Sequence, residues 1–269
     1  MRRIQSENAD FQILEALLRN RRKREQRGEF LIEGVQAINR ALDARWPVHA
    51  AVVPDGTARS PWADSCLARV GEVIEVRADL FARLSDRDEP PELVLVGGIP
   101  RQDVATVPRP ADGAVVVVDR LASPGNLGTI IRTSDALGAS AVLLTGHGAH
   151  LFDPQTVRAS VGSLFTLPVV PVESHQVLVD WLALWRSEVT VAVYATDEAG
   201  DVRLTSDVAL SRPALVLLGS ERRGLSAGLR DLADATLSIP MAGSASSLNV
   251  AVAAGIVLHR VMSTVTHHG

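Results

Sequence analysis

The chain has 269 residues, 46% of them hydrophobic, and a slightly positive mean hydropathy; this is core enough for two modest domains or one large one, and it excludes disorder. A single cysteine, Cys66, excludes an internal disulfide and points to a reducing cytoplasm. The net charge of -4 does not by itself suggest a nucleic-acid partner, the N-terminal MRRIQSENADFQ has no apolar signal region, and no apolar run reaches the roughly 18 residues of a membrane span.

The spacing of Phe11, Leu14, Leu17 and Leu18 predicts a first helix. Next comes RNRRKREQR, a dense basic run of Arg19, Arg21, Arg22, Lys23, Arg24 and Arg27. Such a run suits an RNA phosphate backbone, although a solvated helix face reads the same way. Strands are predicted over Glu29–Gly34, His49–Pro54, Val73–Val76 and Glu92–Ile99, and helices over Val35–Ala44 and Ala78–Ser85, which makes a small α/β unit. The proline-rich Pro100–Gly113 reads as a linker whose tail adds an edge strand to that unit. The expected boundaries are residues 1–107, a linker at about 100–113, and residues 113–269.

AVVVVD, Ala114–Asp119, is a continuous β-branched run of the kind found in strands covered on both faces. GNLGTIIRTSDALGA follows as loop and helix. Further strands are predicted over Ser140–Gly146, Leu167–Val172, Val189–Thr196, Pro213–Ser220 and Ala235–Met241, with helical stretches between them. The alternation implies an α/β fold, a mostly parallel sheet with helices on both faces, whose ligands bind at the carboxyl ends of strands. Three strand-end loops stand out: Asp119–Ala139 with Asn126, Gly128 and Arg132; Leu217–Ser226 with Gly219, Glu221 and Gly224; and Ile239–Asn249 before an apolar helix. GNLGTI is neither a dinucleotide fingerprint nor a phosphate loop, which argues against a Rossmann-type nucleotide enzyme. Glycines at such turns let backbone approach a flat ligand closely. His147 and His150 beside Asp153 lack a further ligand at convincing spacing, so no metal is expected; His267 and His268 are terminal.

N-x-G-x-x-x-R-T (Asn126–Thr133), G-S-E-x-x-G (Gly219–Gly224) and I-P-M…S-L-N-V (Ile239–Val250) resemble the three signature motifs of the SpoU/TrmH family. These are RNA ribose 2′-O-methyltransferases of the SPOUT class. The N-terminal S-E-N…FLIEG resembles the L30e-like substrate-binding domain of rRNA-modifying members. The resemblance implies a parallel sheet with a deep trefoil knot, S-adenosyl-L-methionine as methyl donor, a homodimer through the C-terminal domain, and a cytoplasmic enzyme acting on RNA, with 23S ribosomal RNA expected. A tRNA methyltransferase or a non-catalytic RNA-binding relative are the alternatives.

Residue by residue, the resemblance assigns Thr196, Gly219, Ser220, Glu221, Gly224, Ile239, Met241, Leu248 and Asn249 to the donor pocket, and Arg132, Asn126 and Glu221 to catalysis. Arginine side chains stay protonated up to a pKa above roughly 12, so Arg132 is expected to orient the hydroxyl and an adjacent phosphate. Asn126 reads as a ribose contact, a brace for Arg132 or a helix cap; Glu221 as a partner of Arg132 or a loop anchor. Ser247 and Asn249 read as ligand contacts or N-caps, and Arg158 as an RNA phosphate contact or a surface residue.

Overall fold

The computed structural model describes residues 2–263, so His267 and His268 lie outside the described residues. The chain forms two compact units. One takes in the described residues up to Arg101 together with His150–Thr166; the other takes in Gln102–Ala149 and the described residues from Leu167 onward.

The first unit runs β1 (Arg2–Ile4), α1 (Ala9–Arg19), α2 (Arg21–Arg27), β2 (Glu29–Glu33), α3 (Val35–Asp43), β3 (Val48–Pro54), α4 (Pro61–Leu67), β4 (Val73–Val76), α5 (Ala78–Ala82) and β5 (Val94–Gly98). The helix Pro154–Ala159, seventh in chain order and so α7, completes it. Its sheet has the order β1-β4-β3-β5-β2, with β5 antiparallel to both neighbours and the rest parallel. On one face Phe11, Leu14, Leu17 and Leu18 of α1 pack with Leu31, Val52, Ile74 and Val96. Elsewhere in the unit Phe30 meets Phe152 at 4.6 Å between ring centroids, and Trp46 meets Phe165 edge-on at 5.1 Å, within the range of favourable aromatic pairs.

The basic run ends α1 at Arg19 and then forms α2, and it departs most from its expected role at Arg24. Arg24 is 2% exposed. Its guanidinium donates to the carbonyls of Leu17 and Leu18, at 3.0 and 3.1 Å, and to Asp153 at 3.0 Å. It therefore satisfies otherwise orphaned carbonyls at the end of α1 and is unavailable to RNA. Arg158 likewise pairs with buried Glu33. Arg21 and Arg27 pair with Glu25 and Glu29, while Arg19, Arg22 and Lys23 stay exposed with no carboxylate partner among the described residues.

The second unit runs β6 (Ala114–Asp119), α6 (Pro124–Ala136), β7 (Ala141–Thr145), β8 (Val169–Val172), α8 (His175–Glu188), β9 (Ala192–Thr196), β10 (Val202–Arg203), β11 (Ala214–Leu218), α9 (Ala227–Arg230), β12 (Ala235–Ser238) and α10 (Val250–Ser263). Its seven strands are parallel, in the order β10-β12-β9-β11-β6-β7-β8. Every residue of β6 and β11 is buried, the signature of a sheet covered on both faces. Alternate residues Val115, Val117, Leu215 and Leu217 pack with Trp181 and Trp185 of α8. On the sheet's other side α10 packs on α6 and also reaches β6 and β11.

The expected linker is part of this unit. Val104 and Val107 pack into its core, and Trp185 Nε1 donates to the Pro110 carbonyl at 2.9 Å. Its tail adds no strand to the first unit; the outer strands there are β1, paired in parallel with β4, and β2, paired antiparallel with β5. Among the described residues no helix is long and apolar enough to cross a membrane.

Candidate functional site

The neighbouring strands β12, β9, β11 and β6 end together, and the loops leaving them build the site. This is the carboxyl edge where parallel α/β sheets place ligands.

The loop after β11 is a closed turn. The Ser220 N–H donates to the Gly224 carbonyl at 3.2 Å, and the Gly224 N–H returns a bond to the Ser220 carbonyl at 2.9 Å. Gly224 has φ +58°, a conformation costly for other residues. A Cβ on Gly219 would lie 2.4 Å from the Gly224 carbonyl carbon, so no side chain fits there. The turn is tied down by Asp119, 2% exposed at the end of β6. One of its carboxylate oxygens accepts from the Ser226 N–H at 2.8 Å and the other from Thr145 Oγ1 at 3.0 Å. The Asp119–Arg120 ion pair and a 3.4 Å bond from Arg120 to the Gly224 carbonyl complete the anchor. A lone charge ending an apolar strand was the sequence signal for this anchor.

The first loop is shorter than the sequence suggests. Ser123 caps α6 by accepting from the Asn126 N–H at 3.3 Å, and Pro124 occupies the first turn. Asn126 and Gly128 are therefore helical, and Arg132 lies in the third turn. Because Ser123 does the capping, the Asn126 amide is free for other bonds. It donates Nδ2–H to Glu221 Oε1, and its Oδ1 accepts from Asn249 Nδ2 at 3.1 Å. Glu221 is thus a partner of Asn126, not of Arg132.

The third loop leaves β12 at Ser238, so Ile239, Pro240 and Met241 follow the strand instead of closing it. Asn249 does two jobs. Its Oδ1 accepts from the Ala251 N–H at 2.9 Å, capping α10, while its amide holds Asn126. A chain of side-chain hydrogen bonds from Asn249 through Asn126 to Glu221 thus joins all three loops.

Beside this chain lies a cavity of about 380 Å³. Thr196, Gly219, Ser220, Glu221, Gly224, Ile239, Met241 and Leu248 line it, as assigned from sequence, and Ser247 joins them. Asn249, Asn126 and Arg132 do not line it. Thr196 is oriented by a 3.0 Å bond to the Leu217 carbonyl. The sequence reading missed Asp197, Glu198, Arg222, Arg223 and Arg230, which put both charge signs on the wall. Arg132 is exposed on α6 without a partner among the described residues. The volume falls within the roughly 300–1,000 Å³ of small-ligand sites. Apolar side chains suit an adenosine, and Asp197 and Glu198 with Arg230 suit a zwitterionic amino-acid tail, so these residues fit S-adenosylmethionine.

His150 belongs to the first unit, where Arg24 Nε lies 3.4 Å from its Nδ1. Burial, and then the nearby Arg24 and Arg21 charges, push its pKa down to about 4. Among the described residues no group of three or more His, Cys, Asp or Glu is placed to hold a metal ion.

Residues 113–259 match the SpoU rRNA Methylase family model, and residues 8–95 match the SpoU L30e-like domain. The 23S rRNA (uridine(2479)-2′-O)-methyltransferase of Streptomyces viridochromogenes is 44% identical over 97% of this chain and 92% of that protein. The 23S rRNA (guanosine(2553)-2′-O)-methyltransferase RlmP of Bacillus subtilis is 32% identical over 91% of this chain and 92% of that protein. The crystal structure of the SpoU methyltransferase AviRb from Streptomyces viridochromogenes, in complex with AdoMet, superimposes with a TM-score of 0.88 at 43% identity, covering 95% of this chain and 97% of that one. With its motif loops gathered at one cavity and both family models matched, the chain belongs to the SpoU rRNA methylase family and carries an L30e-like domain at its N-terminus.

Proposed function

We propose that this protein transfers a methyl group from S-adenosyl-L-methionine to a ribose 2′-hydroxyl of 23S ribosomal RNA in the cytoplasm. The observation that carries the reading is the Asn249–Asn126–Glu221 hydrogen-bond chain beside the 380 Å³ cavity. It sets residues suited to a ribose next to a pocket suited to a methyl donor. The 23S rRNA activity named for the relatives from Streptomyces viridochromogenes and Bacillus subtilis supports the substrate class.

The donor, when bound, supplies a methyl group already activated on a sulfonium, so the protein mainly has to align the acceptor. Ile239, Leu248 and Met241 would hold the adenosine, and the closed Ser220–Gly224 turn would form a wall of its pocket. Asn126, its amide fixed at both ends, presents itself to the ribose. Arg132 orients the 2′-hydroxyl and an adjacent phosphate and stabilises the negative charge that develops as the proton leaves.

Arg132 does not line the cavity of its own chain, which supports a homodimer in which the partner completes the site. Val252 and Ile256, 52% and 39% exposed on successive turns of α10, give that dimer an apolar face. Gly255 between them approaches Thr133, the neighbour of Arg132. The reading extends to the deep trefoil knot at the C-terminal end of the sheet that the resemblance to the SpoU/TrmH family implies.

The test is methyl transfer from labelled donor to purified 23S rRNA and, in parallel, to bulk tRNA. Label in 23S rRNA alone is expected. Label confined to tRNA would replace the substrate, and donor binding without transfer to either RNA would make the protein a non-catalytic relative.

A further inference from the structure

Resting on the reading above, we infer that Arg222 and Arg223 form a phosphate clamp that seats the target strand of the RNA over the donor cavity. Both lie in the Ser220–Gly224 turn, both are exposed, and both line the cavity mouth. The turn presents them from a rigid base. Reciprocal backbone bonds close it, a 3.3 Å bond from the Arg223 N–H to Ser220 Oγ braces its inside, and Asp119 anchors its far end through Ser226.

What singles the pair out is that no carboxylate holds either side chain among the described residues. Nearby Arg120 is paired with Asp119, and Arg230 donates to the Leu225 carbonyl at 3.2 Å. Their immediate neighbour Glu221 is engaged by Asn126. Two unpaired guanidiniums therefore sit at the rim, one residue from the side chains assigned to the ribose. Guanidinium forks bind phosphodiester oxygens bidentately.

The reaction itself asks for such a clamp. A ribose oriented for in-line attack must be held by the phosphates beside it, on the unit that carries the cavity. Apart from Arg132, the RNA contacts assigned from sequence, at Arg19, in α2 and at Arg158, belong to the other unit. Arg158 and Arg24 are in addition already committed to Glu33 and Asp153. Arg222 and Arg223 add to Arg132 two further phosphate contacts on the second unit, at the rim of the cavity.

The test compares the wild type with Arg222→Ala/Arg223→Ala and Arg222→Lys/Arg223→Lys. Donor affinity is measured by calorimetry, and binding and methylation of a 23S rRNA transcript are measured across a salt series. The alanine pair is expected to bind donor as the wild type does, which also reports a folded site. It is expected to bind the transcript roughly tenfold more weakly, with the slope of log affinity against log salt reduced by about 1.4 for two phosphates of a single strand. KM for RNA rises, and the lysine pair recovers most of the salt slope. An unchanged slope overturns the clamp, and so does a comparable loss of donor affinity, which would place the pair on the donor's carboxylate. A wild type that methylates no RNA instead fails the functional reading itself.

Discussion

Asn249 carries two roles that one substitution separates. Its Oδ1 caps α10 through the Ala251 N–H at 2.9 Å, and its Nδ2 holds the Asn126 amide at 3.1 Å. Asn249→Asp keeps the cap, since a carboxylate accepts from the helix N-terminus as well as an amide oxygen does. It removes the donor and sets a carboxylate against Asn126 Oδ1. Asn126 cannot turn its amide round to meet it without losing Glu221. Asn249→Ala loses both roles, costing about 1 kcal/mol for the cap and about 1 kcal/mol for the amide bond. Thermal unfolding should therefore show Asn249→Asp, which loses only the amide bond, about 2–4 degrees below wild type and Asn249→Ala, which loses both, about twice as far below. Methyl transfer should fall about 100-fold in both variants, the usual consequence of a reacting group displaced by an ångström or so, with donor affinity changed little. An Asn249→Asp protein that is both stable and fully active would refute the idea that Asn249 orients Asn126.

Four further outcomes follow from the same geometry. Arg132→Ala should abolish methyl transfer while calorimetry still finds donor binding; retained activity would remove Arg132 from the mechanism. Val252→Asp/Ile256→Asp should sediment as a monomer and lose activity, whereas an intact dimer would place the interface elsewhere. Gly219→Ala should weaken donor binding at least tenfold, because the added methyl forces apart the turn that lines the cavity; unchanged affinity would show that the turn gives way freely. His150 has a folded pKa of about 4 against an ordinary value of 6.5, so the unfolded chain binds the extra proton between these values. Stability from His150 is then full above about pH 6.5 and is lost as pH falls toward 4, by an amount of order 3 kcal/mol. Denaturant titrations of wild type and His150→Gln over that window should show the steeper acid loss in the wild type only.

Much of this architecture was legible because strong local signals agreed with the tertiary outcome. AVVVVD, bounded by turn residues, could be buried only on both faces, and it became β6 residue for residue. The three loops were marked by glycines whose necessity is now visible: Gly219 abuts Gly224, and Gly224 adopts a left-handed backbone. What escaped the sequence depends on partners far along the chain. Arg24 sits in a run that reads as RNA-binding or solvated, and the carbonyls of Leu17 and Leu18 together with Asp153, 129 residues away, hold it inward. The segment His150–Thr166 lies between predicted elements of the second unit, yet its Phe152 and Phe165 belong with Phe30 and Trp46. A helix cap stays among the readings of Asn126 because Ser123, three positions earlier, carries no stronger mark than any other serine before a proline.

The most direct measurement is alkaline hydrolysis of 23S rRNA after incubation with the protein and methyl-labelled S-adenosylmethionine. A 2′-O-methyl group blocks cleavage at its own linkage, so the account predicts label in an alkali-resistant dinucleotide. Label released in mononucleotides, as base methylation would give, or no label in the RNA at all, would contradict it.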